Sequence, residues 1–85
     1  MGRRRRAQPQ EMAGKLREIR ARLKLSQEEM DRQFKHLPGE MYPGLISRFE
    51  QGKVEPSLLI LLAYARLAGV SMETLVDDNL KLTKA

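Results

Sequence analysis

The stretch GLISRFEQGK, Gly44 to Lys53, sets polar side chains against an apolar pair. Ile46 and Phe49 stand one helical step apart, Ser47 and Arg48 fall between them, and Gln51, Gly52 and Lys53 follow. An arginine and a serine on the outer face of so short a helix, stopped by a glycine, are either ordinary solvated residues or the contact for a partner outside the fold. Other chemistry is poorly supported. There are no cysteines, which excludes disulfides and thiolate metal sites and suits a reducing cytoplasm. His36 is the only histidine, so it reads as a polar loop residue facing solvent or phosphate rather than a metal ligand. Ser26, Ser57 and Ser71 each precede an apolar periodic run and read as helix caps, not nucleophiles. Asp77 and Asp78 are adjacent and do not face a shared substrate as a paired acid and base would. No glycine-rich phosphate cradle is present. The chain is expected to be no enzyme and to use no cofactor and no metal.

Charge points to a polyanion. Residues 1–53 hold 13 basic and seven acidic residues, a net of +6, whereas residues 54–85 have a net of −1. Arg3, Arg4, Arg5 and Arg6 supply four of the positive charges. That asymmetry fits a polyanionic partner on the first two thirds of the chain. No apolar run approaches the ~18–20 residues of a membrane span, and no apolar segment follows the charged start as a secretory signal requires.

The elements that must position these residues are helices. Eighty-five residues make one domain at most. Residues 1–8 read as a flexible basic arm, 9–79 as the folded domain and 80–85 as a tail. Met12, Leu16, Ile19 and Leu23 recur at spacings of three and four, a first helix to about Lys24. Ser26 with Glu29 forms a capping box for a second helix that turns in Met30 and Phe34. KHLPGEMYPG, with two Pro-Gly signals, is a loop. A third helix is expected over about 43–51, with Gly52 just past its end. A fourth follows Ser57, with an apolar stripe of Leu58, Leu61, Leu62, Ala65 and Ala68, and ends at Gly69. A fifth, about Met72 to Asn79, follows Ser71 and turns Leu75 and Val76 inward. With little strand signal, the expected fold is an all-α bundle of five short helices.

LREIRARLKLSQEEM and ISRFEQGKVEPSLLILLAYARLAGVSMETL carry a resemblance. In this order they are similar to the helix-turn-helix domain of the Xre family, the lambda-repressor-like or Cro/C1 type, over about Lys15 to Asp77. The resemblance implies sequence-specific binding of double-stranded DNA by a small transcriptional regulator, in a bacterial or phage cytoplasm. It places the third helix in the major groove. Arg48 is then the leading base-reading residue, because its fork matches guanine O6 and N7. Ser47 and Gln51 share its face. Gln27, at the start of the second helix, and Lys53, beyond the third, would meet phosphates. Arg20 and Glu50 match a structural pair that holds the reading helix to the scaffold. The arginines at 3–6 would reach phosphates or a narrow minor groove.

The sequence departs from that pattern in three places. The 35–44 connection is longer than the family's tight turn. Pro43 and Gly44 stand where relatives place base-reading side chains, and neither offers a side-chain donor or acceptor. Either the loop itself reaches DNA through Lys35, His36 and Tyr42, or binding rests on Arg48, phosphates and the arm. Asp31 occupies a position that is usually small and apolar. It either turns outward or marks a shift in helix register. A homodimer is expected on a two-fold site, through the fifth helix and tail, with Leu75, Leu80 and Leu82 as contacts. Two other readings are an antitoxin of a toxin–antitoxin pair and a protein-interaction module. The first would bind its toxin through the short tail after Asp78, and the second would bind a protein partner through the 35–44 loop.

Overall fold

In a computed structural model of the chain, residues 8–37 and 41–82 are described. Five helices follow in order: α1 (Met12–Leu23), α2 (Gln27–Gln33), α3 (Leu45–Glu50), α4 (Leu58–Ala68) and α5 (Met72–Val76). No strand occurs among the described residues, so the fold is the all-α bundle that the periodicities predict. Arg3 to Arg6 lie outside the described residues, as do residues 38–40 of the α2–α3 connection and the end of the tail from residue 83.

Local chemistry starts the helices. Ser26 Oγ accepts from the Glu29 amide at 3.1 Å, and the Glu29 carboxylate accepts from the Ser26 amide at 2.8 Å. That reciprocal pair satisfies two of the donors a helix start leaves open. The Ser26 amide also holds the Glu29 carboxyl below its ordinary pKa. Ser57 and Ser71 cap α4 and α5, accepting from Ile60 and Thr74 amides at 3.3 Å each.

The apolar faces meet in one core, with Leu16, Met30, Phe34, Tyr64 and Leu75 fully covered. The Phe34 and Tyr64 rings sit 4.9 Å apart at 55°, joining α2 to α4. Burial pushes the Tyr64 phenol well above its ordinary pKa, and its hydroxyl has no hydrogen-bond partner among the described residues.

Three expectations change. The buried face of α4 is Ile60, Leu61, Tyr64 and Ala65, while Leu58 is 74% exposed. The α5 helix stops at Val76, which is exposed, because Asp77 adopts extended backbone. Leu75 is wholly inside the core and cannot serve as a dimer contact. Leu80 is exposed and Leu82 packs partly against the core.

The two ends of the fold are tied by groups whose role as ties the sequence does not reveal. Lys15 lies on the buried stripe of α1, and its Nζ donates to the Thr74 and Asp77 carbonyls at 2.7 and 3.0 Å. In return, the Asp78 carboxylate accepts from the Gln10 and Glu11 amides at 2.8 and 2.9 Å, capping the start of α1 from the far end of the chain. The Glu11 amide, then the Gln10 amide, lower the Asp78 pKa. A carboxyl with a depressed folded pKa stabilises above its unfolded value and ceases to as pH falls through the folded one. Asp78→Ala is therefore expected to be less stable than the parent at neutral pH. That difference should close below about pH 4 as the parent's carboxyl protonates. Urea melts of both chains across that range check it, and a difference that persists at the acid end would remove the tie from the account.

Candidate nucleic-acid interface

The expected reading helix is shorter than its sequence signal. It runs Leu45–Glu50 rather than 43–51, because Gly44 precedes it at φ +90. That left-handed conformation strains any residue with a Cβ. The Leu45 amide donates to the Tyr42 carbonyl at 3.1 Å, so Tyr42 to Leu45 is a turn that aims α3. Pro43 and Gly44 thus set the helix's entry. Its exit is set by Gly52 at φ +75, where the Lys53 amide returns to the Arg48 carbonyl at 3.0 Å.

Within α3 the division is sharp. Leu45, Ile46, Phe49 and Glu50 are buried, while Arg48 is exposed and Ser47 partly so. Gln51 follows, exposed, and its amide donates to Ser47 Oγ at 2.8 Å. Ser47, Arg48 and Gln51 form one outward polar strip, and Lys53 stands exposed just beyond it.

Glu50 is the buried anchor. Arg20 of α1 donates from Nε to one Glu50 oxygen at 2.6 Å and from Nη2 to the other at 3.0 Å. Its Nη1 reaches the Leu25 carbonyl at 2.9 Å, in the turn before α2. The bond to Glu50 raises the arginine's pKa further, so it stays charged at any working pH. Gln27 Nε2 also donates to Glu50, at 3.3 Å. One carboxylate thereby joins α1, the start of α2 and the end of α3. Gln27, predicted to face a phosphate, contributes to this junction while remaining exposed.

Between α2 and the start of α3 lies an open cleft of about 510 Å³. It brings together four of the predicted residues, Gln27, Lys35, Tyr42 and Ser47. Arg48, Gln51 and Lys53 do not line it. Glu28 and Arg32 do, and were not foreseen, although 28, 31, 32 and 35 share one helical face by spacing. Asp31 also lines the cleft. It is half-buried, with one carboxylate oxygen lacking a partner among the described residues. The capping box forms at Ser26 as read, and Asp31 is not turned fully outward. Two acids offset two bases in this cleft, so the positive face lies with Arg48 and Lys53.

Among the described residues, no group of three or more His, Cys, Asp or Glu suits a metal ion, and no helix is long and apolar enough to cross a membrane. Comparison with curated proteins and with solved structures gives no match. A family model described as helix-turn-helix matches residues 16–75, which includes the Arg20–Glu50 junction, the cleft and the polar strip. The chain belongs to the Xre, or lambda-repressor-like, helix-turn-helix family of DNA-binding transcriptional regulators.

Proposed function

We propose that α3 enters the major groove of double-stranded DNA and reads bases through Arg48, with Ser47 and Gln51 beside it. The observation that carries this reading is the split of α3. Its apolar residues and Glu50 are locked inside, and Arg48 is left exposed with no acidic partner among the described residues. Tyr42 is 44% exposed at the entry turn and extends the reading edge that Pro43 and Gly44 interrupt. Lys35, Gln27 and Lys53 contact phosphates on either side, and Arg3 to Arg6 add phosphate contacts along the backbone. A helix this short reads few base pairs, so two copies act on half-sites about one helical turn apart. Val76 and Leu80 are the exposed apolar residues near the tail that support such a dimer.

The test is selection from a random duplex pool at two salt concentrations, with the parent chain and Arg48→Ala. A two-fold site is expected. The variant should lose ~1–3 kcal/mol of discrimination at one base position and keep the rest of the site. If no sequence is enriched and all binding disappears at the higher salt, the attraction is electrostatic alone and the reading fails.

A further inference from the structure

The α4 helix has a second apolar face that none of the described residues covers. Its 11 residues include one charge, Arg66, and helices apolar all round are ordinarily enclosed. Here only one side is. Leu58 and Leu59 are 74% and 47% exposed, and Leu67 lies at the edge of exposure with them. This face does not lie flat. Together with Leu37, just past α2, Leu59, Leu62 and Leu67 line an open groove of about 330 Å³.

We propose that this groove is a docking site for an amphipathic helical segment of another protein, apolar on one side and flanked by acidic residues. The charge in the lining decides the occupant. Arg66 stands on the same helix stripe as Leu59 and Leu62, His36 also lines the groove, and none of the described lining residues is acidic. Arg66 has no acidic partner among the described residues. A second copy related by a two-fold axis would set this surface against itself and repeat the same cation across the contact. An acid-flanked helix lays leucine-sized side chains in the groove and gives Arg66 its counter-charge. None of the described residues beyond Leu67 lines the groove, so it is separate from Val76 and Leu80 and does not depend on how DNA is read.

The experiment uses the full chain and fluorescence anisotropy with labelled peptides of about 16 residues, a length that spans such a groove. One peptide carries a leucine stripe flanked by glutamates, a second the same stripe flanked by lysines. A third has the first peptide's composition in scrambled order. The glutamate peptide is expected to bind at least about tenfold more tightly than the lysine peptide. Arg66→Glu should reverse that order. Leu59→Ser, at an exposed position that leaves the core intact, should abolish binding. Equal binding of the scrambled peptide would mean general attraction to a basic chain and would overturn the proposal. So would an order unchanged by Arg66→Glu, or no binding at all. Sedimentation of the chain alone closes the remaining route: self-association dispersed by Leu59→Ser would assign the face to a second copy instead.

Discussion

Arg20→Ala should lower the stability of the chain by ~3–5 kcal/mol, because it strands a buried carboxylate. The Glu50 side chain is only 4% exposed, and among the described residues Arg20 supplies two of the three hydrogen bonds its carboxylate accepts. Without Arg20, Glu50 retains, among the described residues, the side-chain amide of Gln27 alone at 3.3 Å. A domain of this length has a total stability of ~4–13 kcal/mol, so the loss is a large part of the whole. Each kcal/mol moves the midpoint of a domain this size by ~4–8 °C. Thermal and urea melts followed by circular dichroism measure it. Two further variants separate causes. Arg20→Lys keeps the charge but not the fork, and should recover less than half of the loss. Replacing both partners, Arg20→Met with Glu50→Leu, should be far milder than Arg20→Ala, since no charge is then left unpaired. A loss below about 1 kcal/mol for Arg20→Ala would reduce the junction to an ordinary surface pair.

The second large effect is at Lys15. Its ammonium closes the end of α5 by donating to the Thr74 and Asp77 carbonyls, and the residue is 7% exposed. Helix ends leave carbonyls without partners, and a cation there is favoured by the helix dipole as well. Hydrogen bonds to charged groups contribute ~1.5–3 kcal/mol each, so Lys15→Ala is expected to cost about 3 kcal/mol. Lys15→Met keeps most of the apolar stem and isolates the ammonium. It should lose nearly as much, and amide exchange at Leu75 to Asp77 should accelerate in both variants. If Lys15→Met matches the parent in both measurements, the stem alone matters and the two hydrogen bonds add nothing.

These two sites differ in how far sequence could reveal them. The pair Arg20 and Glu50 was legible because the family resemblance names both positions. The helices were legible from spacing and caps: Ser26 with Glu29, Ser57, Ser71 and the glycine at 52 all act as read. Lys15 was not singled out, and Asp78 drew notice only as one of two adjacent acids, not as a cap. Their partners are backbone groups 59 to 68 residues away, and backbone groups leave no mark on residue type. Lys15 did sit on the apolar stripe of α1, which was the available sign that its stem is covered. The phase of α4 failed for another reason. In LLILLAYARLA almost every position is apolar, so several stripes fit equally, and only packing against α1 and α5 selects one. The short α3 was misjudged by two residues at its start because Pro43 suits both a first helical turn and the turn before it.

The exchange between the chain's two ends also bears on where the protein can be cut. Gln10, Glu11, Lys15, Asp77 and Asp78 all lie outside residues 16–75, the stretch shared with the family. So does Met12, a core residue 4% exposed. Trimming to the shared stretch would keep every side chain of the Arg20–Glu50 junction and the polar strip of α3. It would also open α1 at its start, uncap α5 at its end and unroof the core between them. The shared stretch is a unit of ancestry. The unit of cooperativity is wider, because Asp78 caps the start of α1 while Lys15 caps the end of α5.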